Sequence, residues 1–243
     1  DDGFRLTADV LEAYRTGHTR GVFVNSPSNP TGAVTTREDL AGLLGWAGEH
    51  GIWVLSDEIY RRLYYEGVGP GSAPSVLDVS DRPEHVVALD GMSKAFSMPG
   101  WRIGWAVGPK EVIERATSLQ SQTTSGAAGP SQYASAALLD SAERESVVAG
   151  FREALDRRRR NSLAVLRDAP GIDVVEQPGA IYHYLRLAGG ADSMATAEAL
   201  LLEGGVATIP GEAFGTPGYL RITYAGADET VAEGARRIAA FFG

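Results

Sequence analysis

Two basic side chains with apolar neighbours are the first candidates for chemistry in this sequence. Lys94 lies in the stretch LDGMSKAFSMPGWRIGW, residues 89–105, and is flanked by small residues, Met and Phe rather than by acidic partners. In such surroundings the amine can lose its hydration, which favours its neutral, nucleophilic form. Arg102 stands between Trp101 and Ile103. Because a charge between apolar neighbours is costly to bury unpaired, this pattern indicates that Arg102 holds an anion.

Composition alone favours a plainer interpretation of both side chains. Most lysines are surface residues, so the alternatives are that Lys94 is a solvated loop lysine and that Arg102 forms a structural salt bridge. Two other motifs weigh against these alternatives. SNPTG at residues 28–32 and SDEIY at residues 56–60 each follow an apolar run, and they carry the polar groups that a lysine-bound cofactor requires.

The apolar runs predict strands that end at these motifs. Strands are predicted at residues 21–24, 52–55 and 85–89, and a helix between the first two is predicted to begin after Thr36 and to stop at Gly51. This alternation predicts a mostly parallel sheet with right-handed crossovers. Open α/β sheets place their chemistry at the carboxyl ends of the strands, so the polar motifs are expected at that edge.

The remaining pattern predicts the rest of a large α/β domain, residues 1–140, and a smaller α+β domain, residues 141–243. The large domain is expected to contain a strand at 103–107, helices at 109–120 and 131–139, and irregular loops at 66–83 and 122–130. A long helix at 143–168 is expected to lead into the smaller domain. That domain is expected to contain strands at 172–176, 180–187, 206–209 and 219–223, and helices at 195–203 and 229–242.

Composition limits the classes of function. The chain has 243 residues, 44% of them hydrophobic, a net charge of -9 and no cysteine, which excludes disulfides and thiolate metal sites. The basic run Arg157 to Arg160 follows Asp156 in a helical pattern, so a solvated helix face is favoured over nucleic-acid binding. Without a signal peptide or an apolar run near ~20 residues, we expect no membrane association and a cytoplasmic location.

Four motifs in order carry a family resemblance. SNPTG, SDEIY, SKAFSMPGWRIGW and the late YLRITYA resemble, at similar spacing, the class I/II aminotransferases of pyridoxal-phosphate fold type I, the aspartate-aminotransferase-like enzymes. The resemblance covers nearly the whole chain, although members of that family are longer and what is missing lies before Asp1. It implies the fold type I large domain, here incomplete, and pyridoxal 5'-phosphate as the cofactor.

The resemblance also implies roles for residues that contact the cofactor. Lys94 matches the lysine that forms the Schiff base and later moves the proton, and Asp57 matches the partner of the pyridine nitrogen. Asn29 and Tyr60 match the hydrogen-bond partners of the phenolate oxygen. Taken alone, Asp57 and Asn29 are also typical of turns, and Tyr60 is typical of a half-buried core position.

Two arginines match anion-binding positions of the family. Arg102 resembles the arginine that binds the cofactor phosphate, and Arg221 resembles the arginine that binds the substrate α-carboxylate, with Asn29 beside it. Strand alternation alone favours solvent exposure for Arg221. The sequence departs from some family members at Gly91, where a hydroxyl residue helps to bind the phosphate, and nothing in the pattern assigns that role to Ser93.

The resemblance therefore implies an aminotransferase that moves an amino group between an amino acid and a 2-oxo acid, as a homodimer with shared active sites. Another fold type I reaction remains an alternative, as a lyase, a decarboxylase or an amino-acid oxidase, because the fold alone does not choose among them. A second alternative is a half-enzyme that needs a partner chain. The sequence does not predict which amino acid is the donor.

Overall fold

The computed structural model describes residues 3–66, 71–80 and 83–243. Its contacts divide the chain into two compact units. The N-terminal unit comprises the described residues of 3–27 and 34–152, and the C-terminal unit comprises residues 28–33 and 153–243. The expected boundary of functional domains between residues 140 and 141 stays a prediction.

The N-terminal unit contains a four-stranded sheet with helices. Its elements are α1 (Ala8–Tyr14), β1 (Gly21–Asn25), α2 (Arg37–His50), β2 (Trp53–Asp57), β3 (Val86–Gly91), β4 (Gly104–Val107), α3 (Lys110–Thr123) and α4 (Gly129–Asp140). The strand order is β1-β2-β3-β4. The first three strands are parallel and β4 is antiparallel to β3, so the predicted mostly parallel sheet is confirmed.

Local signals in the sequence set the bounds of α2. Thr36 caps the helix by accepting the backbone N–H of Asp39 at 3.1 Å, and Gly51 ends it with a φ of 63°. The buried face of α2 includes Leu40 and Leu43, which pack with strand residues such as Val54 in one apolar cluster. The predicted start and stop of this helix are therefore confirmed, and the helix covers the sheet that presents the polar motifs.

The loops of the N-terminal unit differ in part from prediction. The predicted bounds of the loop at 122–130 are wrong at both ends, because α3 continues to Thr123 and α4 begins at Gly129. In the expected loop at 66–83, residues 76–78 form a short 3₁₀ helix with a capping box between Ser75 and Asp78. Residues 67–70 and 81–82 of that predicted loop lie outside the described residues.

The C-terminal unit combines an antiparallel sheet with helices, as the α+β prediction requires. Helix α5 (Arg144–Leu166) begins in the N-terminal unit and continues into this one, and it is followed by β5 (Ile172–Val175), β6 (Tyr182–Leu187), α6 (Ser193–Leu202), β7 (Ile209–Pro210), β8 (Tyr219–Thr223) and α7 (Asp228–Phe242). The strand order is β5-β6-β8-β7. Buried residues of the sheet and helices, among them Leu185, Leu220 and Ile238, form its core.

One strand of this unit is much shorter than predicted. The expected strand at 206–209 is reduced to Ile209 and Pro210. The backbone N–H of Val206 bonds to the Leu200 carbonyl at 3.0 Å and closes the end of α6, so it is not available to a strand ladder.

The basic run on α5 is paired with carboxylates. Arg157 Nη2 lies 2.8 Å from an Asp228 oxygen, and Arg158 contacts the same carboxylate. Arg159 and Arg160 both contact Asp156. The run is therefore paired partly with α7, through Asp228, and partly within α5, through Asp156. No helix among the described residues is both long enough and apolar enough to cross a bilayer.

Candidate active site

Lys94 lies on the loop that follows β3, as predicted. The strand ends at Gly91, and the loop turns back through a bond from the Ser97 N–H to the Lys94 carbonyl at 3.1 Å. Met92 and Phe96 are buried in a small apolar cluster, which fixes the loop on both sides of the lysine. The Lys94 amine lies 5.5 Å from the centre of the Tyr60 ring. Within the described parts of the chain, no carboxylate forms an ion pair with Lys94.

Asp57 is the last residue of β2 and lies at the same sheet edge. It is in register with Asn25 on β1 and with Leu89 on β3. Its Oδ1 accepts the Ile59 N–H at 3.1 Å, which is a local turn bond. The described residues supply no partner for its second oxygen. Asp57 therefore presents one carboxylate oxygen that can accept a hydrogen bond.

The neighbours of Asp57 in the SDEIY motif differ in their surroundings. Glu58 is buried and accepts the Ser56 hydroxyl at 3.1 Å and the Val76 N–H at 2.9 Å. These bonds give Glu58 a structural role. Tyr60 is only 3% exposed, and its ring is the surface beside the Lys94 amine.

Arg102 occupies the end of a short 3₁₀ turn, residues 99–101, with a φ of 54°. Its side chain is exposed, and Nη1 donates to the Pro99 carbonyl at 2.8 Å. The expectation that apolar neighbours bury this charge is wrong, because Trp101 is itself 45% exposed. Among the described residues no carboxylate pairs with Arg102, so the structural salt bridge is not present in that part of the chain.

Backbone contacts bring the Arg102 turn against the start of the lysine loop. The Met92 N–H donates to the Ile103 carbonyl at 3.1 Å. A Cβ at Gly91 would lie only 2.7 Å from that carbonyl oxygen. The close approach explains why this chain has glycine where a hydroxyl residue was considered, since any side chain there would require the backbone of residue 103 to move.

Asp90 is a titratable group near Lys94 that the sequence analysis missed. Its Oδ1 accepts the Gly91 N–H at 2.7 Å. Burial raises the pKa of the Asp90 carboxyl to about 6, although Arg62 nearby favours its ionised form. The signal available in the sequence was its position at the end of an apolar strand.

In the C-terminal unit, the SNPTG motif forms a tight loop that carries Asn29. Gly32 has a φ of 80°, a left-handed conformation that glycine adopts without strain, and its N–H bonds to the Ser28 carbonyl at 2.8 Å. The Gly32 carbonyl accepts the Gly179 N–H at 3.1 Å, and a Cβ at Gly32 would lie 2.7 Å from the Gly179 oxygen. These close backbone contacts hold the loop that presents Asn29.

Arg221 is joined to Asn29 within this unit. Its Nη1 donates to Asn29 Oδ1 at 2.6 Å. The Arg221 guanidinium carbon also lies over two aromatic rings, 4.5 Å from the centre of Tyr182 and 5.0 Å from the centre of Phe214. Arg221 is half-buried, so it does not have the full solvent exposure that alternation along the strand favours.

The structure thus gathers the predicted residues into two groups. Asp57, Tyr60, Lys94 and Arg102 lie on contacting segments of the N-terminal unit. Asn29 and Arg221 are bonded in the C-terminal unit. The sequence analysis did not identify the rings of Tyr182 and Phe214. The available signals were the position of Tyr182 at the start of β6 and the position of Phe214 in the turn before β8.

A separate groove in the C-terminal unit contains none of the predicted site residues. It has a volume of about 580 Å³ and is lined in part by Ser162, His183 and Ile222. His183 is buried, and its Nε2 lies 2.8 Å from the Ser162 hydroxyl. Burial lowers the pKa of His183 to about 3, so this ring is neutral near pH 7.

Known proteins resemble this chain over nearly its whole length. An aspartate aminotransferase of Streptomyces avermitilis is 42% identical over 97% of this chain and 59% of its own length. An aspartate/prephenate aminotransferase of Cereibacter sphaeroides is 39% identical over 99% of this chain and 62% of its own length. The chain therefore spans about 60% of the length of these relatives.

Solved structures have the same fold. The aromatic aminotransferase of Pyrococcus horikoshii superposes with a TM-score of 0.92 at 35% identity, over 99% of this chain and 64% of that one. The aspartate aminotransferase of Thermus thermophilus with maleate superposes with a TM-score of 0.90 at 38% identity, over 98% and 61%. The model of the family described as aminotransferase class I and II, which is pyridoxal-phosphate-dependent, matches residues 1–238. The chain belongs to the aminotransferase class I and II family.

Proposed function

We propose that the protein is a pyridoxal-phosphate-dependent aminotransferase that moves an amino group between an amino acid and a 2-oxo acid. The observation that carries the proposal is the Lys94 amine at the carboxyl end of β3, without a carboxylate partner among the described residues and 5.5 Å from the Tyr60 ring. Membership of the family and the aminotransferase names of its relatives support the same conclusion.

The residues of the N-terminal unit fit the cofactor chemically. Asp57 offers a carboxylate oxygen, Lys94 an amine and Arg102 a guanidinium, and each of these groups lacks an opposite charge among the described residues. A pyridinium N–H, an aldehyde carbon and a phosphate are the three groups that such a set would hold. When bound, pyridoxal phosphate supplies an electron sink for the electron pair released at the substrate α-carbon.

Lys94 has two roles in this proposal. Its amine would hold the cofactor through the aldehyde carbon, and as a free amine it would be the base for the proton at the substrate α-carbon. Because Met92 and Phe96 are buried on either side, the loop restricts where that amine can move. The Tyr60 ring lies on one side of the amine, 5.5 Å away.

Asp57, Tyr60 and Asn29 adjust the electron distribution of the cofactor. The Asp57 carboxylate would hold a proton on the pyridine nitrogen, because only one of its oxygens is used by the local turn. The resemblance assigns the Tyr60 hydroxyl and the Asn29 amide to the phenolate oxygen, to which each would donate. Arg102 binds the phosphate, and its planar guanidinium suits two phosphate oxygens at once.

Arg221 binds the α-carboxylate of the substrate. Its contact with Asn29 uses Nη1 and leaves the edge that carries Nε and Nη2 for a bidentate pair. Such a pair would fix the orientation of the substrate by its carboxylate. The proposal includes the homodimer with shared active sites that the resemblance implies, and the cytoplasmic location that the sequence predicts.

Amino-group transfer in matched lysine variants tests the proposal. Lys94 and Lys110 are the only two lysines of the sequence, and the Lys110 side chain is 88% exposed beside Glu114. The purified protein is incubated with pyridoxal phosphate, a panel of amino acids and a 2-oxo acid, and the new amino acid is quantified by chromatography. We expect transfer by the wild type and by Lys110→Ala, and a loss of about 10²-fold to 10⁴-fold in Lys94→Ala.

Other outcomes separate the alternatives. In place of a new amino acid, release of carbon dioxide with an amine would point to a decarboxylase, and release of ammonia with a 2-oxo acid would point to a lyase. Hydrogen peroxide formed alongside ammonia would point to an oxidase. Transfer that appears only after a second polypeptide is added would support the half-enzyme. Failure of the wild type to transfer from any donor under both conditions would contradict the proposal.

A further inference from the structure

The guanidinium of Arg221 is held by three contacts from separate parts of the C-terminal unit. Nη1 donates to Asn29 Oδ1 at 2.6 Å, and the guanidinium carbon lies 4.5 Å from the centre of the Tyr182 ring and 5.0 Å from that of Phe214. Both ring distances lie within the range at which an aromatic face attracts a cation. The long arginine side chain is therefore restrained at its charged end.

The two rings are themselves fixed by the backbone. Tyr182 is the first residue of β6 and is in register with Thr223 on β8. Phe214 ends the 3₁₀ turn at residues 211–214, which Gly215 closes with a φ of 72°. A Cβ at Gly211 would lie 2.0 Å from the Thr216 carbonyl oxygen, so the turn depends on glycine for its tightness.

A second layer of aromatic side chains supports Phe214. Its ring meets the buried Tyr184 ring edge-on with 6.4 Å between centres. Tyr184 stacks on Tyr219 at 4.9 Å. Tyr184 also lies directly opposite Arg221 in the β6–β8 pairing. The ring of Phe214 is thus placed by packing, and it does not need the arginine to keep its orientation.

The restraint leaves donors of Arg221 for a ligand. A guanidinium has five N–H donors, and the contact with Asn29 uses a single Nη1 donor. Among the described residues no carboxylate pairs with Arg221. Aromatic rings attract the cation through their faces but accept no strong hydrogen bond from it, so they hold the charge without competing for a carboxylate.

We propose that Tyr182 and Phe214 form an aromatic clamp that positions Arg221 for the α-carboxylate of the substrate, and so determines how strongly the enzyme prefers an amino acid to an amine without a carboxylate. The inference rests on the proposed function. Neither ring needs to touch the substrate, because each acts by limiting the orientations of the guanidinium before the carboxylate arrives.

Selectivity between paired substrates tests the clamp. The full protein, loaded with pyridoxal phosphate, is assayed with an amino acid and with the amine obtained by removing its carboxylate, and the ratio of the two kcat/KM values is the readout. Variants are Tyr182→Leu, Phe214→Leu and the conservative Tyr182→Phe. Phe242→Leu is the matched control, since it removes a ring of the same unit that packs against Phe241.

The clamp predicts a lower ratio only where a ring over Arg221 is lost. We expect Tyr182→Leu and Phe214→Leu each to lower the ratio between about twofold and thirtyfold, chiefly through KM of the amino acid. Tyr182→Phe should recover most of that loss, and Phe242→Leu should retain the wild-type ratio. Equal losses for the amino acid and the amine would overturn the clamp, because that result is what general destabilisation produces.

A binding measurement provides a readout that does not need turnover. Calorimetric titration of the loaded protein with succinate and with 3-phenylpropionate reports affinity for ligands that carry a carboxylate but no amine. Affinity should fall in the two leucine variants and recover in Tyr182→Phe, and an unchanged affinity would overturn the clamp. Wild-type protein that transfers from neither substrate would instead contradict the proposed function, and the inference would fail with it.

Discussion

Arg221 and Asn29 are joined by a hydrogen bond of 2.6 Å between Nη1 and Oδ1, although 192 positions separate them in the sequence. Both belong to the C-terminal unit, because the loop at 28–33 is held against Gly179 by a backbone bond of 3.1 Å. Asn29 is an uncharged acceptor, so it orients the guanidinium and leaves its charge uncompensated. An arginine kept in this state is suited to bind an incoming carboxylate.

The uncharged character of Asn29 leads to a first prediction. Asn29→Asp should place a carboxylate beside Arg221 and form an internal ion pair that competes with the substrate. We expect KM for the amino acid to rise by about tenfold or more. Asn29→Ala, which removes the acceptor without adding a charge, should raise KM less. Steady-state kinetics of both variants would contradict this account if the alanine variant had the higher KM.

The unpaired oxygen of Asp57 leads to a second prediction. Asp57→Asn retains an acceptor for the Ile59 N–H, which now lies 3.1 Å from Oδ1, but it removes the negative charge. We expect turnover to fall by about two orders of magnitude or more, while the thermal midpoint without cofactor stays near that of the wild type. Asp173→Asn is the matched control, because that exposed carboxylate pairs only with Arg186 among the described residues. Equal turnover in the two variants would contradict the role of Asp57.

Burial of Asp90 leads to a prediction about stability and pH. Its pKa is raised from 3.8 to about 6 in the folded state, so the folded protein holds a proton that the unfolded chain has lost. The stability that this proton gives is present below about pH 4 and is lost as the pH rises through about 6. Asp90→Asn should therefore gain stability relative to the wild type by about 1–3 kcal/mol between pH 4 and pH 7.

Urea unfolding of both proteins at intervals from pH 4 to pH 8 measures that difference. The asparagine side chain can still accept the Gly91 N–H, now bonded at 2.7 Å, so the local turn is preserved. A difference that does not vary with pH would show that Asp90 is not protonated in the folded protein near pH 5.

Burial of His183 predicts the opposite dependence on pH. Its pKa is lowered from 6.5 to about 3, so the unfolded chain takes up a proton that the folded protein excludes. The stability gained is present above about pH 6.5 and is lost as the pH falls toward 3, at up to about 1.4 kcal/mol for each pH unit. We expect His183→Gln to remove this part of the acid sensitivity. His18→Gln is the matched control, because it replaces an exposed histidine and leaves the buried His183 ring in place.

Local chemistry made much of the fold predictable from the sequence. Thr36 and Gly51 bound α2 as expected, because a capping hydroxyl and a left-handed glycine act within one turn of the chain. The position of Lys94 after β3 followed from an apolar run and the turn residues behind it. The strand predicted at residues 206–209 was wrong at Val206, because the N–H of that residue bonds to the Leu200 carbonyl at the end of α6.

Contacts between distant residues were less accessible to sequence analysis. The exposure of Arg102 depends on the turn conformation of residues 99–101, which its apolar neighbours do not reveal. The rings of Tyr182 and Phe214 meet Arg221 only because β6 and β8 pair and the turn before β8 folds back. These relationships arise from tertiary packing, and no short pattern encodes them.

The covalent attachment of the cofactor to Lys94 is the most direct test of the whole account. Protein loaded with pyridoxal phosphate is reduced with borohydride, digested with trypsin, and searched by mass spectrometry for peptides that carry the reduced cofactor. Because the sequence has only Lys94 and Lys110, the two possible side-chain sites are resolved without ambiguity. We predict the modification on the Lys94 peptide and its loss in Lys94→Ala. Modification of Lys110 alone, or none in the wild type, would contradict the account.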